Sequence, residues 1–278
     1  MSDAPPAMSR EVLSLDGLRD VRVYQRKDGY RFSVDALLLY SFVGLQRVKS
    51  IADIGAGSGI IGLLLARKYP GAKVFLIELQ ENLARLAERN CIVNGLQDRV
   101  KVLHADVKEI RGRIREIYGR QSRTGPQVCC GEGADNGDFG ELLSSFDLVV
   151  SNPPFRKPRT GKLSTGDERA IARHEIMLPL EDLVSAVALM LKPRGRFCMI
   201  HLPERLADTV RAMSAHGLEP KRLRFVHSSA ATEAKMVLIE AVKGARTGLT
   251  TEPPLLLYNE DGSCTEEMRE YYGGEFGK

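Results

Sequence analysis

The sequence lacks the features that mark membrane proteins, secreted proteins and zinc-stabilised proteins. No apolar run approaches the ~20 residues that a transmembrane helix needs, and residues 1–10 lack the apolar core of a secretory signal peptide. The five cysteines are odd in number and scattered, which argues against a disulfide framework. The adjacent Cys129 and Cys130 have no second pair at zinc-ligand spacing. We therefore expect a cytoplasmic protein in a reducing compartment, with no membrane association and no metal.

A strong charge imbalance is also missing. The 40 basic residues and 36 acidic residues give a formal net charge of +4, which permits nucleic-acid binding without requiring it. The hydrophobic fraction of 43% and the charged fraction of 27% are ordinary for a globular protein, and the chain is long enough to bury a sizeable core. The function therefore has to be inferred from motifs rather than from composition.

Short apolar strands alternate with helical patterns along most of the chain. Helices are predicted to begin near Ser33, and over 60–69, 79–87, 107–118, 180–191 and 204–216. Strands are predicted at 51–54, 73–78, 100–104, 146–151 and 196–202, with two more near 221–227 and 235–242. This alternation indicates an α/β fold with a mostly parallel, doubly wound, seven-stranded sheet. The last two strands are joined by a link too short for a helical crossover, so we expect the last strand to be antiparallel.

The segments that flank this pattern set the predicted domain organisation. Residues 1–45, with a hairpin pattern over 11–30, are expected to pack on a core that spans 46–243, and 244–278 form a tail of unassigned role. Residues 119–140 are rich in Gly, Ser, Asp and Gln, and such a stretch buries too little apolar surface to offset its ordering entropy. We predict a mobile loop there.

A glycine-rich loop, Asp53-Ile-Gly-Ala-Gly-Ser-Gly, lies between the first core strand and the following helix. Gly55 and Gly57 allow a sharp turn and a close approach of the backbone to a ligand. The glycines also spell the dinucleotide fingerprint, with an acidic residue about twenty positions further on. An NAD site, and a tight turn without a ligand, are therefore alternatives to any other cofactor.

Carboxylates at successive strand ends argue against NAD. Asp53 stands where it would crowd a pyrophosphate but would attract the cationic amino-acid part of another cofactor. Glu78 ends the second core strand and could accept hydrogen bonds from both ribose hydroxyls, and Asp106 could accept one from an adenine amino group. Each carboxylate alone could be a solvated acid or a helix cap. The three together predict a nucleoside cofactor.

The tetrapeptide Asn152-Pro153-Pro154-Phe155 follows the fourth core strand and is the most specific motif of the chain. An exocyclic amine on a base is a poor nucleophile because its lone pair is delocalised into the ring. The Asn152 side-chain oxygen and the Pro153 carbonyl could accept both N–H bonds, and the two prolines would keep these acceptors preorganised. Phe155 offers a ring for stacking. The alternative is a Pro-Pro turn with a buried phenylalanine.

With these motifs, the chain resembles the class I S-adenosylmethionine-dependent methyltransferases from about Ile51 to Lys243. More narrowly, it is similar to the bacterial tRNA1(Val) adenine-N6 methyltransferases, which modify the purine beside the anticodon. The resemblance is carried by segments spread along the chain: Gly29-Tyr-Arg-Phe-Ser-Val-Asp-Ala, the glycine loop, Asn-Pro-Pro-Phe, Ala172-Arg-His-Glu and Pro254-Leu-Leu-Leu-Tyr. The predicted loop at 119–140 is longer than this family leads us to expect.

The resemblance implies a Rossmann-like fold and assigns roles to the motif residues. Asn152, Pro153 and Phe155 would hold the target amine. The cofactor, which leaves as S-adenosyl-L-homocysteine, would be held by Asp53, Gly55, Gly57, Glu78 and Asp106, with Phe32 and Asp35 closing its methionine end.

A basic segment directly after this tetrapeptide suggests how the acceptor is bound. Residues 156–173 carry six basic side chains against two acidic ones, which suits a phosphate backbone. We expect RNA, specifically tRNA, to contact Pro154, Arg156, Lys157, Arg159 and Lys162. A second basic cluster, Lys221, Arg222 and Arg224, is interpreted as solvated surface, and His174 as a structural hydrogen-bonding residue.

Other functions remain open at this point. A guanine N2 amine in ribosomal RNA and a glutamine amide in a protein are also planar, amine-bearing acceptors that an Asn-Pro-Pro corner could hold. An RNA-binding protein that keeps the fold without catalysis and a nicotinamide dehydrogenase are alternatives of other classes. The oligomeric state cannot be inferred from these patterns.

Overall fold

The computed structural model describes residues 13–26, 34–110, 112, 142–153 and 179–273. Several expectations fall outside this part of the chain. They are the mobile loop at 119–140, the role of His174, and the roles of Phe32, Pro154, Phe155, Arg156, Lys157, Arg159 and Lys162.

The described elements follow the predicted order closely. The strands are β1 (Leu13–Leu18), β2 (Val21–Arg26), β3 (Ser50–Ile54), β4 (Lys73–Glu78), β5 (Val100–His104), β6 (Phe146–Ser151), β7 (Leu191–His201), β8 (Leu218–His227), β9 (Ala234–Lys243), β10 (Thr250–Thr251) and β11 (Leu255–Leu256). The helices are α1 (Val34–Phe42), α2 (Ile60–Lys68), α3 (Glu81–Val93), α4 (Leu180–Met190), α5 (Leu206–Ala215) and α6 (Glu266–Tyr272), with a 3-10 turn at Pro203–Arg205.

The main sheet of the described chain has nine strands. Its order is β10-β8-β9-β7-β6-β3-β4-β5, and β11 also pairs with β8. The seven long strands β3 to β9 agree with the prediction, and β9 is antiparallel to both of its neighbours. The two additional strands come from the tail, and each has only two residues, which is too short for a sequence pattern. The predicted mostly parallel sheet with an antiparallel last long strand is confirmed.

The two faces of the sheet bury separate hydrophobic clusters. Along β3, Ile51 belongs to one cluster, whereas Ala52 and Ile54 belong to the other. Along β6, Leu148 and Val149 divide in the same way. Successive side chains of a strand point to opposite faces, so helices on both sides are needed to cover them. This double cover leaves the strand ends as the accessible places for polar side chains.

The two terminal segments of the described chain pack into the same cluster. Leu18 and Val21 of the β1–β2 hairpin are buried there together with Leu255 and Met268 of the tail. Arg19, in the turn of the hairpin, donates hydrogen bonds to the carbonyls of Glu270 and Tyr271 at distances of 3.0 and 2.6 Å. Since carbonyls of the last helical turn lack partners within the helix, this arginine caps α6 from the other end of the chain.

Arg222 and Arg224 are ion-paired residues, so interpreting them as solvated surface was wrong. Arg222 donates to Glu240 at 3.0 Å, to Glu252 at 2.9 Å and to the Phe42 carbonyl at 2.5 Å. Arg224 forms a two-pronged pair with Glu267, at 2.6 and 2.8 Å. These contacts tie β8 to β9 and to the tail, and they engage both guanidinium groups in contacts within the protein.

Replacement of Arg222 by alanine should destabilise the fold without a specific effect on RNA binding. The side chain of Glu240 is only 4% exposed and would keep Arg196 as its remaining cation. Loss of one partner from a buried charge group costs about 2–4 kcal/mol, which urea unfolding would measure. Lys221→Ala is the control, because among the described residues its ammonium group donates a hydrogen bond to the Arg246 carbonyl alone, and surface changes stay within about 0.5 kcal/mol. Equal losses in the two variants would contradict the assignment.

Candidate cofactor and acceptor site

The carboxyl ends of four neighbouring parallel strands bring the predicted site residues to one edge of the sheet. Ile54 pairs with Ile77 of β4 and with Ser151 of β6, and Glu78 pairs with His104 of β5. The chain goes from β3 outward through β4 and β5, and from β6 outward in the other direction. The edge between β3 and β6 is therefore a topological switch point, where open α/β sheets bind ligands.

The glycine loop opens directly from the end of β3. Gly55 and Gly57 have φ values of 71° and 57°, which is the left-handed region that favours glycine. A Cβ at either position would meet no atom of the described chain within 4 Å. Their requirement for glycine is thus conformational, and open space adjoins the backbone on this side.

Gly62 serves a different purpose. A Cβ there would lie 2.1 Å from a methyl group of Leu76 and 3.3 Å from the Asp53 carboxylate. This glycine lets α2 pack closely against the sheet. The motif therefore has two parts. Gly55 and Gly57 leave room for a ligand, and Gly62 brings the helix and the strand together.

Asp53 lies beneath the loop and is fully buried. Its Oδ2 accepts a hydrogen bond from the Gly62 amide at 2.9 Å, whereas Oδ1 has no partner among the described residues. Burial raises the pKa of Asp53 to about 7, against the lowering effect of the Gly62 hydrogen bond, and the nearby charge of Glu78 raises it further. A buried carboxylate with an unsatisfied oxygen fits a cationic ligand group, which would stabilise its charged form.

Glu78 contacts the loop from the neighbouring strand. Its Oε2 accepts from the Gly57 amide at 2.8 Å, and its Oε1 accepts from the Gln80 amide at 2.9 Å. One carboxylate thereby bridges the glycine loop and the start of α3. Each oxygen keeps a second lone pair with which it could accept from a ribose hydroxyl.

Asp106 follows β5 and caps the helical residues 107–110. Its Oδ1 accepts a hydrogen bond from the Lys108 amide at 2.8 Å. The second oxygen has no hydrogen-bond partner in the described part of the chain. The helix-cap reading of Asp106 and its predicted role as an acceptor for an adenine amine are therefore compatible.

Asn152 follows β6 at the level of Gly55 in the adjacent strand. The buried hydroxyl of Ser151 donates to the Ile54 carbonyl at 2.8 Å and locks the two strand ends together. Asn152 is half-buried, Pro153 is buried, and the Asn152 amide makes no hydrogen bond to the described residues. An amide without a partner among the described residues is compatible with the acceptor-binding role of Asn152, which stays a prediction.

Asp35 is a predicted cofactor residue on an element outside these four strands. It occupies the first turn of α1, which packs against α2. Its role toward the methionine end of a cofactor stays a prediction.

A residue that the sequence analysis missed also contacts the loop. The Asn90 side chain, fully buried on α3, donates to the Ser58 carbonyl at 2.9 Å. The available signal was a polar residue that continues the apolar spacing of Leu83, Leu86 and Ala87. A buried amide needs hydrogen-bond partners inside the protein, so an asparagine on an apolar helix face predicts contacts with another segment.

The described ranges contain neither a metal-binding group of side chains nor a helix that could span a membrane. No group of three or more His, Cys, Asp and Glu side chains in the described ranges is arranged to bind a metal ion. None of the helices described above combines the length and the apolar character that crossing a bilayer requires.

Comparison with known proteins assigns the family. The family model "Methyltransferase small domain" matches residues 33–113. The chain is 31% identical over 215 residues to the tRNA1(Val) (adenine(37)-N6)-methyltransferase of Porphyromonas gingivalis strain ATCC 33277, with 76% of this chain and 73% of the relative covered. The chain belongs to the tRNA1(Val) (adenine-N6)-methyltransferase family.

Solved structures show the wider fold to which this chain is similar. A predicted O-methyltransferase from Agrobacterium tumefaciens aligns with a TM-score of 0.62 at 22% identity, over 88% of this chain and 98% of that one. The TYW2 protein of M. jannaschii, solved in complex with AdoMet, aligns with a TM-score of 0.53 at 13% identity, over 84% and 87% of the two chains. These likenesses confirm the Rossmann-like methyltransferase fold.

The pKa of Asp53 predicts a specific pH dependence of stability. Because burial raises the pKa of Asp53 well above its ordinary value, the folded protein holds this proton more tightly than the unfolded chain. That contribution is complete below about pH 4 and is lost as the pH rises toward 7. Relative to the non-titrating variant Asp53→Asn, the wild-type protein should lose about 1–3 kcal/mol between pH 5 and pH 8.

Urea unfolding of both proteins at the two pH values measures this difference, because the substitution cancels the titration of all other groups. A difference that does not change with pH would show that Asp53 is ionised throughout this range.

Proposed function

We propose that this protein is an S-adenosylmethionine-dependent methyltransferase that methylates the exocyclic N6 amine of an adenine in tRNA. The supporting observation is that Asn152 follows β6 at the level where the glycine loop leaves β3, within a chain of this family. A methyl donor above the loop and an amine held at Asn152 would then meet at one edge of the sheet.

The residues of the glycine loop fit a cofactor of this chemistry. Asp53 would attract a cationic group, the open side of Gly55 and Gly57 would admit the ligand, and Glu78 and Asp106 would accept hydrogen bonds from its nucleoside. S-Adenosylmethionine supplies an electrophilic methyl group on a positively charged sulfur and leaves as S-adenosyl-L-homocysteine. Phe32 and Asp35 are proposed to close the methionine end. This chemistry requires no metal.

Asn152 and Pro153 are proposed to prepare the nitrogen of the acceptor. The Asn152 side-chain oxygen and the Pro153 carbonyl would accept the two N–H bonds, which localises the lone pair and aims it at the methyl group. Holding two reactants in line contributes up to ~7–11 kcal/mol in the best cases. Phe155 would add base stacking, which is worth ~1–3 kcal/mol.

The basic residues that follow are proposed to bind the RNA backbone. The segment that follows Asn152 and Pro153 in the chain begins with Pro154 and contains the basic residues Arg156, Lys157, Arg159 and Lys162. Phosphate contacts of this kind orient an RNA without selecting its sequence. A tRNA substrate would place the enzyme in the cytoplasm.

The identity of the methylated product tests the proposed acceptor. The purified protein, incubated with total RNA and tritiated S-adenosylmethionine, should label N6-methyladenosine after the RNA is digested to nucleosides. N2-methylguanosine would indicate a guanine acceptor, and label in protein would indicate a glutamine amide. Cofactor binding without transfer to any acceptor would favour an RNA-binding protein without catalysis.

Asn152 supplies a sharper test of the chemistry. Asn152→Ala removes one of the two proposed acceptors, so transfer should fall by about 10²–10³-fold, as for the loss of one preorganised polar contact in other active sites. Binding of S-adenosylhomocysteine, measured by calorimetry, should persist.

Asn152→Asp is the matched variant, because it keeps an oxygen acceptor of nearly the same shape. It should retain more activity than the alanine variant. Wild-type turnover in Asn152→Ala would refute the role of this side chain.

A further inference from the structure

Two buried asparagines, Asn90 on α3 and Asn94 directly after its last residue, hold the N-terminal hairpin. Asn90 and Asn94 are 0% and 8% exposed and lie one helical turn apart. Asn94 Oδ1 accepts from the Arg22 amide at 2.9 Å and its Nδ2 donates to the Arg22 carbonyl at 2.6 Å. Asn90 pairs in the same way with Tyr24, at 2.7 and 3.2 Å. Each side chain thus replaces a strand partner for the outer edge of β2.

The two asparagines differ in one contact. Besides its hairpin carbonyl, the Nδ2 of Asn94 donates to the Asn90 carbonyl, within the same helix, at 2.7 Å. The Nδ2 of Asn90 instead donates to the Ser58 carbonyl, in the glycine loop, at 2.9 Å. Asn90 is therefore the point at which the hairpin, the helix and the loop are joined by one buried amide.

The contact with Ser58 holds a peptide group that glycine leaves free to rotate. The peptide between Ser58 and Gly59 is anchored at its nitrogen, because the Gly59 amide donates to the Ala56 carbonyl at 2.8 Å. The φ angle of Gly59, one of the two dihedral angles that orient this peptide, is 87°, and glycine has no side chain to restrict it. Asn90 anchors the other end of the same peptide.

Together with Glu78, Asn90 fixes the loop from two sides. Glu78 accepts from the amide of Gly57, and Asn90 donates to the carbonyl of the next residue. Backbone groups that bind a ligand act best when their orientation is set before binding, because no ordering cost remains. A loop fixed on both sides would present its open face in one conformation.

We propose that Asn90 is a positioning residue for the cofactor loop, which holds the Ser58–Gly59 peptide in place and thereby couples the conformation of the loop to the hairpin. This inference rests on the proposed function in one respect, namely that the loop binds S-adenosylmethionine. Asn90 acts through the loop and has no role in the transfer itself.

A matched pair of substitutions tests the proposal in the full-length protein. Each of the variants Asn90→Ala and Asn94→Ala loses a buried side-chain amide and two hydrogen bonds to the hairpin, with Tyr24 in the first case and Arg22 in the second. The melting temperatures of both variants should therefore fall by similar amounts. Only Asn90→Ala removes the contact with the loop. Its dissociation constant for S-adenosylhomocysteine should rise about tenfold, whereas that of Asn94→Ala should stay within about twofold.

Steady-state kinetics with an RNA acceptor supply a second readout. In Asn90→Ala the KM for S-adenosylmethionine should rise, and kcat at saturating cofactor should stay within about threefold of the wild-type value. A purely structural asparagine would move both variants equally. Equal changes in the dissociation constants of the two variants, or an unchanged constant in Asn90→Ala, would overturn the proposal.

Two further outcomes are decisive. If Asn90→Ala does not fold, Asn90→Ser is measured by the same criteria, and failure of both to fold would assign Asn90 to folding and overturn the inference. If the wild-type protein binds no S-adenosylhomocysteine, the proposed function falls, and the inference falls with it. Wild-type binding without transfer to RNA would reject the proposed acceptor and leave the inference standing.

Discussion

The site depends on one constraint, the parallel alignment of β3, β4, β5 and β6. Parallel pairing places the carboxyl ends of all four strands at the same edge, so residues that are distant in the chain follow one another across the sheet. The Ser151 hydroxyl donates to the carbonyl of Ile54, which is 97 positions away in the sequence, and the following residues, Asn152 and Gly55, have the same separation. A shift of two residues in the pairing of β3 with β6 would move Asn152 and Pro153 about 7 Å along the strand direction relative to the glycine loop. The buried serine hydroxyl therefore stabilises the register that the chemistry requires.

Buried polar groups give this edge its shape. Asp53, Glu78 and Asn90 each make a hydrogen bond to the backbone near or within the glycine loop, and none of them is more than 5% exposed. Such groups are costly to bury unless they are satisfied, so their contacts are specific. The Oδ1 of Asp53, which has no partner among the described residues, is the exception, and a cationic ligand group would satisfy it. These three buried polar side chains are thus organised around the loop.

Much of the fold could be predicted from local patterns. The apolar run 146–151 and the glycine loop after Ile54 carry their structure in neighbouring residues, because strand burial and left-handed backbone are local requirements. The antiparallel β9 followed from a short polar link. The two short tail strands and the ion pairs of Arg222 and Arg224 were not predicted, since their partners are distant in sequence. Charge alone cannot distinguish a solvated arginine from one paired inside the protein.

The amino-acid sequence by itself determined the candidate site of this protein: a glycine loop bounded by carboxylates, and the Asn152-Pro153-Pro154 motif directly after a strand. These motifs are local, and their residue types state which groups they can bind. Only the tertiary structure decided how they are held, with Asp53 beneath the loop, Glu78 on its backbone, and Asn90 between loop and hairpin. The physical reason is that a hydrogen bond between distant segments requires both to be positioned, and positions are set by packing rather than by residue type.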